Sequence, residues 1–308
     1  MINTGTQFIE MTDGAKIALH SWIPDGGVRA VILICHGMIE YAKRYDYAAR
    51  KFAEAGYAVL AHDQRGHGET AGSLDAAGYI CNGDGFSRVV IDVREIAVRA
   101  KTMFPQKRII LLGHSFGSFV TQGFIEQFGN EIDAVMLSGT AGPRRAFAAA
   151  GLACVKLVGA FKGKKYRSKF LNNLTFGGYN AHIPDAESPF DWLSRDEAVV
   201  KKRNADPWNS FVPTVAFFRD LTSGLCRIHE KSAMAAIPKE LPALLFSGGD
   251  DPVGGYGKTV AALAECYRAN GMRDLTLKLY PGGRHEMLRE TNKDEVIADI
   301  IAWLSDRA

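Results

Sequence analysis

Residues 109–120 read IILLGHSFGSFV. The run Ile109–Leu112 is apolar without interruption, as a strand buried on both faces of a parallel sheet requires. The segment after it, FGSFVTQGFIEQF (116–128), is helix-like. Between them stands Gly113-His114-Ser115-Phe116-Gly117, a G-x-S-x-G sequence. Such a joint must turn sharply from strand to helix. Its glycines let neighbouring backbone approach without a Cβ clash, and the serine hydroxyl is pushed above the sheet edge. G-x-S-x-G arises by chance in many unrelated chains. The strand before it and the helix after it make this one a nucleophile elbow, with Ser115 as the candidate nucleophile.

Further apolar runs repeat the strand pattern: RAVILIC (29–35), YAVLAH (57–62), AVMLSG (134–139), PALLFS (242–247) and LTLKLY (275–280). Two shorter alternating runs, 7–11 and 16–22, flank Thr12-Asp13-Gly14 and predict a β-hairpin. Helical spacing appears between the runs, in Val90, Val93, Ala97 and Ala100, and again in Val296, Ile297, Ile300, Ile301 and Leu304. Asn292 and Glu295 form a candidate capping pair for the last helix. Strands alternating with helices predict an α/β fold with a mostly parallel, doubly wound sheet and right-handed crossovers.

One interval breaks the alternation. About a hundred residues separate Gly139 from Leu241, where a crossover needs about a dozen. The interval is rich in aromatic residues, among them Phe147, Phe161, Trp192, Trp208, Phe211, Phe217 and Phe218. We therefore expect an inserted helical cap over 140–240, with a core made of 1–139 and 241–308. An aromatic-rich cap implies an apolar pocket suited to acyl or aryl esters. Within it, residues 146–161 are apolar but for Lys156 and are followed by Lys162, Lys164, Lys165, Arg167 and Lys169. Packing against the body is the favoured use of that helix. A peripheral contact with a lipid surface and dimerisation through this surface are the others.

Composition narrows the function classes. The chain has 308 residues, 47% hydrophobic and 23% charged, with a net charge of +3. That charge is too mild to imply nucleic acid. No run approaches the ~18 apolar residues of a membrane span. The start MINTGTQFIEMTDG has neither the basic nor the apolar part of a secretory signal. Five cysteines without a CxxC pair read as reduced, mostly buried thiols of a cytoplasmic protein. No cofactor or metal is expected, and the oligomeric state is left open.

A serine nucleophile needs a base and a stabiliser of developing charge. His285, in LYPGGRHEML, follows the last core run in a glycine-bearing loop. It is preferred over the seven other histidines because nucleophile, acid and base come in that order in α/β-hydrolases. HEMLR lacks the second histidine of a zinc-binding H-E-x-x-H helix. After the first core strand, His36-Gly37-Met38 brings the Met38 amide towards that of Phe116, and the two N–H groups form a candidate oxyanion hole.

SGGDDPVGGYGKT (247–259) is laid out like a phosphate-binding loop, with a strand before it and Gly-Lys-Thr opening a helix. Pro252 stands where that loop requires glycine and has no N–H to offer a phosphate. The stretch instead occupies the place of the catalytic acid, and spacing alone leaves Asp250 and Asp251 both open. Asp63, Arg65 and His67 in HDQRGHGET read as loop-holding residues outside the site. Tyr41, Arg44 and Tyr45 read first as a helix start that packs locally, and otherwise as an entrance lining or a leaving-group contact.

HGMIEYAKRYDYAARKFAEAGYAVLAHDQRGHGET, LLGHSFGS, FDWLSRDEAVVKKRNADP and LKLYPGGRHEML together resemble the monoacylglycerol lipase and lysophospholipase group of serine α/β-hydrolases. The likeness spans nearly the whole chain, with Thr70 where serine often closes the Gly-His-Gly motif. It implies Ser115 as nucleophile, Asp251 as acid, His285 as base, Met38 and Phe116 as oxyanion donors, and a small-molecule ester or lipid as substrate. The same triad serves aminopeptidases and thioesterases, and the fold also occurs in non-catalytic ligand-binding proteins. Those remain the alternatives.

Overall fold

A computed structural model describes residues 1–307. The chain opens with β1 (Ile2–Glu10) and β2 (Lys16–Pro24), then β3 (Ala30–Cys35), α1 (Asp46–Glu54) and β4 (Ala58–His62). Next come α2 (Gly68–Ala71), α3 (Gly85–Met103), β5 (Arg108–His114), α4 (Phe116–Phe128) and β6 (Ala134–Ser138). Five helices follow before the next strand: α5 (Arg145–Lys162), α6 (Lys169–Phe176), α7 (Glu197–Ala205), α8 (Val215–Ile228) and α9 (Lys231–Ala235). The chain closes with β7 (Ala243–Gly248), α10 (Lys258–Ala269), β8 (Leu275–Tyr280) and α11 (Lys293–Ser305).

The strands form one eight-stranded sheet in the order β1-β2-β4-β3-β5-β6-β7-β8. Only the β1–β2 and β2–β4 pairs are antiparallel. The pairs from β4 through β3, β5, β6 and β7 to β8 are parallel. Alternate residues of the central strands point into two separate cores. Leu33, Leu111, Leu137 and Leu245 pack with Val90 and Val93 of α3, Val120 of α4 and Leu263 of α10. Ile34, Leu112, Met136 and Phe246 pack with Phe52 of α1 and Ile300 of α11. A sheet covered on both faces is why these strands read as unbroken apolar runs. The hairpin extends further than its sequence pattern predicts. β1 is an exposed edge strand with little apolar signal in its first half. Asn292 precedes α11 without a side-chain capping bond; its Nδ2 donates to the Glu295 carboxylate at 2.9 Å and its Oδ1 accepts from Arg195 at 3.2 Å.

The parallel strands all end at one edge of the sheet, where ligands sit in open α/β sheets. The loops after β3, β5, β6, β7 and β8 therefore converge there. The helices between β6 and β7 contribute a small core of their own, in which Val155, Leu171, Val215 and Phe218 pack together. α5 buries only Ala148 and Val155, while Phe147, Leu157 and Phe161 are 71%, 61% and 80% exposed. Packing against the body, the favoured use of α5, thus accounts for one narrow face only, and the rest is bare. Of the basic residues that follow, Arg167 is tied to the chain, since its guanidinium donates to the Leu74, Asp75, Ala77 and Val212 carbonyls. All five cysteines are free thiols, and Cys35 alone is fully buried.

Candidate active site

Ser115 sits between β5 and α4 with φ 52° and ψ −120°. A side chain at positive φ is strained, by about 1–3 kcal/mol. The surrounding contacts hold it there. The Ser115 N–H donates to Ser138 O at 2.9 Å, and its carbonyl accepts from Ser118 N at 2.8 Å. Gly117 lies against the Cys35 and His36 carbonyls, so close that any Cβ would collide with them. The elbow thus needs glycine for close approach of two strand-end loops.

His285 is buried in the loop after β8, and its Nδ1 lies 2.9 Å from Asp251 Oδ2. A carboxylate only accepts, so Nδ1 carries the hydrogen and Nε2 is left as an acceptor. Asp251 is fully buried and also accepts from Ser247 Oγ at 3.0 Å and Val253 N at 2.9 Å. Its neighbour Asp250 is exposed. Of the two adjacent aspartates, Asp251 is the one paired with the histidine. Burial alone would lower the basicity of His285. The Asp251 charge and hydrogen bond outweigh burial and raise its pKa above the ordinary 6.5. The His114 ring lies 4.7 Å from that of His285. Burial and the neighbouring His285 lower the His114 pKa to about 4, so no second cation competes beside His285 at neutral pH.

The loop after β3 lies against the elbow, since a Cβ on Gly37 would be 3.2 Å from Ser115 Cβ. Among the described residues, neither the Met38 nor the Phe116 N–H has a hydrogen-bond partner. Ser115, Met38, Phe116 and His285 all line one cavity of about 450 Å³. Its apolar wall includes Phe147, Val155, Leu171, Leu174, Phe218 and Leu221.

Two contributions went unread in the sequence. The first is an ion network under the cavity. Glu40 accepts from the Gly37 N–H, from Tyr45 Oη at 2.9 Å and from Arg44 at 2.9 Å. Arg44 also grips Glu286 through two bonds of 2.8 and 2.9 Å, and Arg289 lies 3.3 Å from both carboxylates. Burial would raise the pKa of Glu286, but the Arg44 and Arg289 charges hold it down at about 2. Two loops are thereby fastened together, one carrying Met38 and the other His285. The quoted HGMIEYAKRY stretch held the signal, in Glu40, Arg44 and Tyr45. The second is Trp192, whose ring lies 4.9 Å from that of His285. The Trp192 and Leu193 carbonyls accept from the His285 and Glu286 N–H groups at 3.3 and 2.7 Å.

Asp63 lies outside the cavity. It accepts from Ala42 N at 2.7 Å, Glu69 N at 2.8 Å and His20 at 3.2 Å, while Arg65 pairs with Asp92. Both tie loops together behind the site.

A strand order of this kind, a strained serine at a strand end and a buried histidine–aspartate pair two loops away define the α/β-hydrolase class. The chain belongs to the Hydrolase_4 family, described as serine aminopeptidase, S33, whose model matches residues 26–292. It is 29% identical to a monoacylglycerol lipase of Mycolicibacterium smegmatis over 94% of this chain and 93% of that protein. It is 27% identical to the monoglyceride lipase of Mus musculus over 96% of this chain and 88% of that protein. Among solved structures, a thermostable carboxyl esterase from Bacillus coagulans, in complex with glycerol, superposes with a TM-score of 0.90. That match is 25% identical and covers 100% of this chain and 99% of that one. The chain is a hydrolase of the group that its motifs resembled. Among the described residues, no helix is long and apolar enough to cross a membrane.

Proposed function

We propose that this chain is a serine carboxylic-ester hydrolase that works through an acyl-enzyme on esters of fatty acids, of the monoacylglycerol or lysophospholipid kind. The observation that carries the reading is the buried His285–Asp251 pair at 2.9 Å, beside a strained Ser115 in an apolar-walled cavity. His285 Nε2 takes the Ser115 proton as the hydroxyl oxygen attacks the ester carbonyl. Asp251 holds the tautomer and stabilises the imidazolium. The oxyanion forms against the free Met38 and Phe116 N–H groups, a contribution worth about 2.7–4 kcal/mol per donor. The alcohol leaves with the proton from His285. Water then attacks the acyl-enzyme by the same route, releasing the acid and restoring Ser115.

Residues 140–240 serve in this reading as the cap, with 1–139 and 241–308 as the catalytic core. The bare apolar residues of α5, together with Phe170 and Leu174 of α6, form a surface that rests against lipid and admits an acyl chain. Free thiols fit a cytoplasmic setting.

An aminopeptidase would need a free carboxylate for its substrate's α-amine. Only Glu40 and Glu286 line the cavity as carboxylates among the described residues, and both are held by Arg44 and Arg289. Rates on p-nitrophenyl esters, monoacylglycerols, lysophospholipids, acyl thioesters and aminoacyl amides test the assignment. Long-chain monoacylglycerols and lysophospholipids should together outrank the thioesters and amides, and faster turnover of amides would contradict it.

A further inference from the structure

Arg203 of α7 is 6% exposed and lines the cavity. Among the described residues, its guanidinium has no ion-pair partner, and its buried Nη1 donates to nothing. Its carbon lies 3.6 Å from the centre of the Phe190 ring, which supports one face of the planar group. Every nearby carboxylate is occupied elsewhere. Glu40 and Glu286 are held by Arg44 and Arg289. Asp206 accepts from Tyr41 Oη at 2.7 Å, Asn209 Nδ2 at 2.7 Å and Trp208 N at 2.9 Å. Burial lowers the Arg203 pKa to about 10, which leaves it charged at neutral pH. A buried, unpaired cation is costly in a folded protein, and one that faces a cavity is compensated when an anion enters.

Building on the ester-hydrolase reading above, we infer that the cavity takes fatty-acid esters whose alcohol part carries a phosphate, and that Arg203 receives that phosphate. The cavity's two sides assign the substrate's two ends. Val155, Leu171 and Leu174 of α5 and α6 suit an acyl chain. Arg203 lines the polar side with Arg44 and Glu286, whose charges it feels, and Glu286 directly follows His285, which protonates the departing alcohol. A neutral glycerol would leave the guanidinium charge uncompensated, whereas a phosphate accepts two parallel N–H bonds from its fork. The reaction is ordinary ester hydrolysis. Water splits the acyl–oxygen bond, the acid keeps the water's oxygen, the alcohol takes a proton, and the phosphate bond is untouched.

The test compares kcat/KM for 1-oleoylglycerol-3-phosphate and 1-monooleoylglycerol in the wild type, Arg203→Met and Arg203→Lys. The wild type should favour the phosphate ester. Arg203→Met should cut that preference about ten- to a hundredfold, and Arg203→Lys should keep most of it. A purely structural Arg203 would lower both substrates alike and leave the ratio unmoved, which overturns the inference. Should Arg203→Met fail to fold, a wild-type arm decides. Glycerol 3-phosphate should compete against p-nitrophenyl butyrate well below the concentration of glycerol needed. Equal potency of the two, or of inorganic phosphate alone, overturns the assignment to the leaving alcohol. If p-nitrophenyl butyrate is not hydrolysed at all, the ester-hydrolase reading itself falls, and the inference with it.

Discussion

The two walls of the cavity are built in opposite ways. The floor is made of loops at the ends of β3, β5, β7 and β8, and its polar side chains are fastened to one another. Asp251 has three partners, Glu286 is held by two arginines, and Ser115 keeps its strained backbone between strand ends. The roof is made of α5–α8. Its apolar residues are partly bare, and Arg203, its one buried cation among the described residues, has no ion-pair partner there. A floor whose groups are already oriented suits bond-making, because no reorganisation is needed as charge develops. A roof left unsatisfied suits selection, because a ligand completes it.

The contrast can be broken at several points. The largest effect is expected on the floor. Asp251→Asn should lower kcat by about 10⁴-fold with the fold intact. The exposed neighbour change, Asp250→Asn, should stay within about twofold. Steady-state kinetics on p-nitrophenyl butyrate would read both, and the reverse pattern would move the acid by one residue. Next comes Glu286→Gln, which leaves Arg44 and Arg289 short of a buried counter-charge. Breaking such a pair costs about 3–5 kcal/mol, so urea unfolding should shift markedly and activity should fall with it.

The pH dependence sharpens the same contrast. His285 must be neutral to accept the serine proton, and its pKa is raised above 6.5 by Asp251. The acid limb of kcat/KM should therefore fall away at a pH above 6.5 as pH decreases. In residual Asp251→Asn activity the limb should move to lower pH. The smallest effect belongs to the roof. Phe161→Ser and Leu157→Ser remove exposed side chains, so melting should barely change. Hydrolysis of vesicle-borne esters should fall about two- to tenfold relative to dispersed p-nitrophenyl butyrate.

How far each wall was legible in the sequence follows from the same difference. The floor's chemistry is local. Ser115 is framed by glycines that close packing demands, and the apolar runs of β3, β5 and β7 are continuous because both faces are buried. Asp251 was separable from Asp250 only through the family likeness, since adjacent residues share every spacing. The roof is made of contacts distant in sequence. Trp192 meets His285, and Arg203 is isolated because Glu40 and Glu286 are engaged by Arg44 and Arg289. No periodicity in residues 190–205 announces either fact. β1 was cut short for a related reason, because an exposed edge strand carries no apolar alternation to read.

The central claim is that the strained Ser115 is the nucleophile that the His285–Asp251 pair serves. Intact-mass analysis after treatment with a fluorophosphonate, followed by peptide mapping, tests it most directly. The account predicts a single adduct on Ser115, absent in Ser115→Ala and formed far more slowly in Asp251→Asn. An unmodified wild type, under conditions that label a control serine hydrolase, would contradict it, as would an adduct mapped to any other residue.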